Sequence, residues 1–311
     1  MDGWLRALGH AVDKLDIIHV AGTKGKGSTC AFTRSFLHEH GLRTGFPRRI
    51  GLYTSPDLQC IRERIQIDGK PITEELFTRY FFEVWECLMT DPSPESTNQN
   101  QNKPRYLQFL ALLAFHTFIR ENVQAAIIET HHGGEYDTTN VIQNPVVTGI
   151  TSLGMDHIDQ LGPTIENIAW HKAGIFKPGS AAFSVPQDPG PAEVMAKCAA
   201  EKQTTLEFIS GEDNPLLPSN DRALGTSVQM LNCSLALELA RTFLRAKAPS
   251  TTNHTLDIDD ISRAIDNFSW IGRFEVIERG DHRWILDGAH NTLSLEHAAA
   301  WFSRLSSGAK G

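Results

Sequence analysis

Residues 17–37 read IIHVAGTKGKGSTCAFTRSFL. Gly22, Gly25 and Gly27 let a backbone bend until its N–H groups can meet a phosphate, and Thr23 sits in that turn. Lys26 adds a full positive charge, and Ser28 a hydroxyl able to face Mg2+. Holding a nucleotide triphosphate is the chemistry these types support. Ahead of the turn runs a short apolar, β-branched stretch. Behind it Ala31, Phe32, Phe36 and Leu37 recur at helical spacing, so the pattern predicts strand, glycine loop, helix. The helix would aim its positive end at the same anion. The loop is not a strict G-x-x-x-x-G-K-[ST]: Val20 stands five before Gly25, and Gly27 follows Lys26. A glycine-rich turn with a surface lysine is the plain alternative.

Other elements must bring partners to that loop. Residues 4–15 read as a short amphipathic helix leading into the first strand. A second strand, IGLYTS, ends at Ser55-Pro56-Asp57, and RERIQIDGKPIT alternates around a turn at Asp68-Gly69. Residues 74–89 form a helix whose aromatic face (Phe77, Phe81, Phe82, Trp85) reads as core packing. Residues 91–104 are polar and proline-flanked, a mobile loop. After a helix at 105–120, the buried strand 123–129 delivers Glu129 at its end. The strand 146–152 leads into LGMDHIDQLG, which holds His157. A helix at 164–173, a strand at 181–185, a helix near 190–202, a short strand around 206–209, loop-like residues at 211–227 and helices near 228–247 and 257–268 complete the unit. Strands alternating with helices predict an α/β fold, a mostly parallel doubly wound sheet. Ligands of such sheets gather at the C-terminal strand ends, where the 22–28 loop, Ser55, Glu129 and the 153–159 turn all fall. At Trp270 a new strand–turn–strand–helix unit begins. The expected domains are 1–269, which binds nucleotide, and 270–311, the start of a smaller α/β domain.

The chain has 311 residues, 41% hydrophobic and 21% charged, the balance of an ordinary globular protein. A formal charge of −8 argues against broad nucleic-acid or acidic-membrane binding. Five dispersed cysteines without C-x-x-C suit reduced thiols rather than disulfides or zinc. No membrane span and no signal or transit peptide is evident. The expected compartment is cytoplasmic, with the mitochondrion left open.

The blocks HVAGTKGKGST, LYTSP, RERIQIDGKPI, GGEYDTTN, TSLGMDHIDQLG, HKAGIFKPG, WIGRFEV and LDGAHN occur in one order. In that order they resemble the folylpolyglutamate synthases, Mur-type ATP-dependent amide ligases, and most of all the eukaryotic, fungal type. The resemblance runs from about residue 17 to 305 and implies ATP- and Mg2+-dependent addition of L-glutamate to the γ-carboxyl of a folate through an acyl phosphate. A monovalent cation is compatible with it. Gly22, Thr23, Gly25, Lys26, Gly27 and Ser28 would hold the ATP phosphates, Asn232 would lie near the adenine, Arg273 would reach the phosphates, and Asp287 would bind nucleotide. Ser55, Glu129 and His157 match metal ligands. Lys172 matches a lysine that is carbamylated in the family, and His290 a neighbour of the reacting groups, so Lys26, Lys172 and His290 are the expected catalytic residues. Taken singly, Glu129 reads as a strand-end acid, His157 as a helix-cap residue, Lys172 as a surface lysine and Arg273 as half of a surface ion pair.

Three departures stand out. His131 replaces the first glycine of the family's Glu-Val-Gly-x-Gly-Gly, which is expected to cost backbone freedom, and His131-His132 could be new ligands or a tolerated substitution. Asp57 stands where the family has histidine, placing a negative charge near the path of a polyanionic acceptor. The resemblance also implies a C-terminal domain larger than residues 270–311. Exposed apolar faces there (Phe274, Val276, Ile285, Leu286, Ala298, Trp301, Phe302), self-association and weakened ligation are expected in consequence. Two other readings stay open: a ligase coupling an amino acid to a non-folate carboxylate, and a non-catalytic nucleotide-binding remnant.

Overall fold

A computed structural model describes residues 1–90, 103–210, 214–218, 224–289 and 292–306. In chain order the elements are α1 (Asp2–Ala7), β1 (Ile17–Ala21), α2 (Lys26–Thr44), β2 (Ile50–Tyr53), β3 (Ile65–Ile67), β4 (Lys70–Pro71), α3 (Glu74–Thr90), α4 (Tyr106–Arg120), β5 (Ala125–Glu129) and β6 (Val147–Ile150). They continue with α5 (Ile158–Leu161), α6 (Ile165–Ala173), β7 (Ala181–Ser184), α7 (Pro189–Glu201), β8 (Leu206–Phe208), α8 (Ser227–Lys247), α9 (Ile258–Asp266), β9 (Glu275–Arg279), β10 (His282–Leu286) and α10 (Thr292–Ser306). The expected mobile loop at 91–104 falls almost wholly outside the described residues, as does much of 211–227.

The main sheet runs β4-β3-β2-β5-β1-β6-β7-β8. The six strands from β2 to β8 are mutually parallel, as expected. The antiparallel pair β3–β4 extends one edge. Its two-residue turn, Asp68 (φ 51°) and Gly69 (φ 78°), has the left-handed conformations that suit a tight hairpin. β1 lies between β5 and β6 and is buried along its whole length. Its alternate residues feed different cores: Ile18 and Val20 pack with helices α2, α8 and α9, while Ile17 packs with α3 and α4. A third cluster joins Ala21 and Ile150 to α6 and α7. This double burial is why the central strands are apolar on both faces.

The helix expected over 4–15 is shorter. α1 ends before Gly9 (φ 70°), where the His10 N–H donates to Leu5 O and the Gly9 N–H to Arg6 O. That pair of bonds closes a helix at a left-handed glycine. A 3-10 turn at Val12–Lys14 then leads to β1. Residues 275–286 form a separate two-stranded antiparallel sheet, β9–β10. In this unit Trp301 is buried against Phe274, whereas Trp284, Leu286, Leu295 and Phe302 are exposed. Among the described residues, no helix is long and apolar enough to cross a membrane.

α2 carries the glycine loop at its N-terminus, and polar contacts fasten its far half to α9. Ser35 Oγ donates to Ala264 O at 2.7 Å, and Arg263 pairs with Glu39 at 3.2 Å. Arg43 reaches both Asp257 (2.9 Å) and the fully buried Asp260 (2.5 Å). Burial pushes the Asp260 carboxyl up, but the Arg43 guanidinium, the Asp257 backbone N–H and His40 together more than offset it, so its pKa falls. A carboxylate with a lowered folded pKa stabilises above the ordinary carboxylate range, and that stability is lost as pH falls through the lowered value. Asp260→Asn should therefore cost about 3 kcal/mol near pH 7. In acid the gap to the natural chain should narrow. Urea denaturation at both pH values checks this, and a gap that widens in acid would refute it.

Candidate functional site

The centre of the site is the turn from β1 into α2. At Gly22 (φ 144°) a Cβ would stand 1.8 Å from Thr151 Oγ1, on the neighbouring strand end. At Gly25 (φ 87°) a Cβ would stand 2.2 Å from Asn232 Oδ1. Between them the Thr23 and Lys24 N–H groups donate to Ser152 O, and the Thr23 hydroxyl donates to Gly154 O at 3.2 Å. The loop is thus stitched to the segment after β6. α2 begins at Lys26, so Gly27 and Ser28 lie in its first turn, where N–H groups have no intrahelical acceptor. Gly27 has room: its nearest neighbours would lie 3.5 Å from a Cβ, at Glu129 Oε2 and Trp270 Nε1.

The ends of β2 and β5 bring the charges. Glu129 is 3% exposed, and its Oε1 lies 3.9 Å from Lys26 Nζ. The Thr54 hydroxyl and the Ser55 N–H (3.1 Å) donate to Glu129 Oε2. Lys172, from α6, is buried beside the loop and donates to Gly22 O at 2.7 Å. Burial, with the charge of Lys26 next, lowers its pKa to about 7. A substantial fraction of this amine is neutral near pH 7, which is what reaction of a lysine as a nucleophile requires.

Beyond β5, Asp137 organises the loop that carries the two unexpected histidines. Its carboxylate accepts the N–H groups of His131 (2.9 Å), His132 (2.8 Å) and Thr139 (2.9 Å) and the Thr139 hydroxyl (2.7 Å). Burial raises its pKa, but His131 and these donors outweigh burial and hold it well below the usual range. Thr139 also meets the buried His19 at 2.8 Å, and burial holds that imidazole neutral, at about 3. A cavity of about 210 Å3 opens here, lined by Leu107, His131, His132, Tyr136, Asp137 and His171 among others.

Lys26, Ser55, Glu129 and Lys172 therefore converge on the glycine loop. His157 lies after β6 at the N-terminus of α5, with its ring against His132. Among the described residues, no three carboxylate, histidine or cysteine side chains form a ready metal cage. Asn232 is buried against Gly25, near Gln229, rather than lining an open cleft. Arg273 and Asp287 share one corner of the C-terminal unit. Arg273 Nη1 donates to Gly272 O at 3.2 Å, and Asp287 accepts from the Phe274 and Ala289 N–H groups at 2.9 and 2.8 Å. Their resolved contacts are local, although the neighbouring Gly272 abuts Leu58 and Trp270 abuts the loop. His290 lies outside the described residues.

Two expectations about the departures change. His131 is not among the residues with positive φ, so replacing a glycine there brings no backbone strain. The left-handed position is Gly133 (φ 68°), which the chain keeps. Nor is Asp57 a bare negative charge, since it pairs with Arg64 at 2.5 Å. Sequence reasoning missed Thr54, Asp137, Thr151 and Lys24, whose Nζ lies 3.4 Å from Asp156. Asp137, followed by two threonines, had the one local signal, an acid placed to cap a turn.

Gly22→Ala should lower stability by more than about 2 kcal/mol, because backbone strain and a collision with Thr151 combine. Gly27→Ala should cost less than about 0.5 kcal/mol. Equal losses in chemical denaturation would contradict this geometry. For Lys172, the unfolded chain binds a proton that the fold lacks between about pH 7 and 10.5. The natural chain should therefore gain stability relative to Lys172→Met as pH rises through that window. Parallel pH profiles would show that the amine is not held neutral.

Comparison with known proteins fits this arrangement. The Mur ligase middle domain model matches residues 20–221, more than half of the chain. A folylpolyglutamate synthase of Neurospora crassa is 45% identical over 306 residues, covering 97% of this chain and 58% of that protein. The chain thus spans less than two thirds of that relative's length. The apo form of L. casei FPGS superposes with a TM-score of 0.83 at 27% identity, covering 97% of this chain and 74% of the other. An FPGS–AMPPCP–folate complex gives 0.82 at 27% identity, covering 97% and 74%. The chain belongs to the Mur ligase family, whose middle domain it carries.

Proposed function

We propose that this chain binds ATP at residues 22–28 and serves an ATP-dependent ligase that adds L-glutamate to the γ-carboxyl of a folate-type acceptor. One observation carries the reading. The glycine loop, a lysine, a buried carboxylate and a buried lysine of lowered pKa meet at the C-terminal end of the central strand. The similarity to the Neurospora crassa folylpolyglutamate synthase and to the AMPPCP–folate complex supports the substrate classes.

First-turn N–H groups and Lys26 would neutralise the phosphates. The donor set also suits Mg2+, which keeps water and takes one or two protein carboxylates alongside phosphate oxygens. Glu129, with Ser55 beside it, would hold the ion, and the ion would supply charge neutralisation at the transferred phosphoryl group. Arg273 and Asp287 are proposed to act from the unit beginning near residue 270. The acceptor's carboxylate would attack the γ-phosphorus with ADP as leaving group, and the glutamate amine would then displace phosphate from the acyl phosphate and lose a proton to give the amide. That chemistry needs in-line positioning and charge neutralisation more than a protein nucleophile. A second reading, a ligase for a non-folate carboxylate, draws on His131 and His132 in the cavity wall.

Lys26→Ala should weaken MgATP binding by about 2–3 kcal/mol, the scale of a charged hydrogen bond in a partly buried site. Calorimetry showing unchanged affinity would remove the loop from nucleotide binding. Phosphate release should depend on both glutamate and a tetrahydrofolate acceptor. Dependence on glutamate with only a non-folate carboxylate would favour the second reading.

A further inference from the structure

One pair of side chains joins a histidine of the implied metal set to one that the ligase reading does not use. His132 follows β5, and His157 stands at the N-terminus of α5. His132 Nδ1 and His157 Nε2 face each other at 3.2 Å, with ring centroids 4.4 Å apart and planes at 71°. Both residues are exposed to solvent. Both backbones are pinned. The His132 N–H donates to Asp137 at 2.8 Å, and the His157 N–H donates to Asp156 at 3.0 Å. His157 holds φ 51° and ψ 39°, a left-handed conformation uncommon outside glycine.

We propose that His132 and His157 form the two-imidazole arm of a site for a first-row transition-metal dication such as Co2+, Ni2+ or Zn2+. Two imidazole nitrogens bound at ~2.1 Å with a tetrahedral angle between them stand about 3.4 Å apart, so the observed 3.2 Å lies close to a chelating bite. In the metal-free chain the same two nitrogens are in hydrogen-bond contact, and a cation would displace the shared proton. Nitrogen donors favour these ions over Mg2+, which takes oxygen. With no third protein ligand gathered among the described residues, the other coordination positions belong to water or to oxygens of a bound ligand. His157 is shared with the metal set that the family resemblance implies, and His132 is what this chain adds. The proposal does not depend on the acceptor or on ligation.

The test is titration of the nucleotide-free chain with Co2+, followed by visible d–d absorption. The natural chain should give a saturable signal that Zn2+ displaces and excess Mg2+ does not. His132→Ala and His157→Ala should each weaken Co2+ binding about tenfold or more. His132→Asn keeps a hydrogen-bonding side chain but lacks the imidazole, and it should lose the signal too while circular dichroism and thermal unfolding without metal stay unchanged. Native Co2+ affinity in His132→Asn or His157→Ala, displacement by Mg2+, or no saturable signal would overturn the proposal. Because nucleotide is absent, none of these outcomes bears on whether the glycine loop binds ATP.

Discussion

The site depends on one electrostatic constraint. Two lysines, Lys26 and Lys172, stand near a glycine turn at the end of a buried strand; the buried carboxylate Glu129 faces Lys26, and Lys172 donates to Gly22 O. Lys26, the Thr54 hydroxyl and the Ser55 N–H surround the Glu129 carboxylate. Lys172, which donates to the Gly22 carbonyl, is pushed toward neutrality by burial and then by the charge of Lys26. An incoming polyphosphate would re-pair Lys26 and leave Glu129 to a cation.

The rest of the fold keeps those groups in register. β1 sits between β5 and β6, so the chain leaving it is flanked by Glu129 on one side and by Thr151 and Ser152 on the other. Gly22 can turn there only because it lacks a side chain to meet Thr151. α2 is held by an apolar core along its length and by the Arg43–Asp260 and Arg263–Glu39 pairs at its far half. The direction of its N-terminus is therefore fixed by contacts well away from the loop.

Much of this was legible in the chain. The apolar β-branched runs gave the central strands because both their faces are buried, and the glycine spacing gave the loop because two of its glycines allow no Cβ. Glu129 and Ser55 were readable as strand-end residues. Contacts between distant segments were not readable. Nothing local says that Asn232 packs on Gly25, that Thr54 donates to Glu129, or that Arg64 neutralises Asp57. Reading His131 as a strained replacement of glycine failed because φ belongs to the folded loop, and the turn is made two residues later at Gly133. α1 was drawn too long because the hydrophobic pattern outran its stop signal, Gly9.

The central claim is that Glu129 pairs with Lys26 in the free chain and with a divalent cation once a triphosphate takes Lys26. Calorimetric titration of Glu129→Gln with ATP, with and without Mg2+, tests it most directly. Removing a carboxylate beside the phosphates should leave ATP alone binding at least as tightly as in the natural chain, while the gain in affinity on adding Mg2+ should largely vanish. If Glu129→Gln keeps the full Mg2+-dependent gain, or if it abolishes binding of ATP alone, the account is wrong.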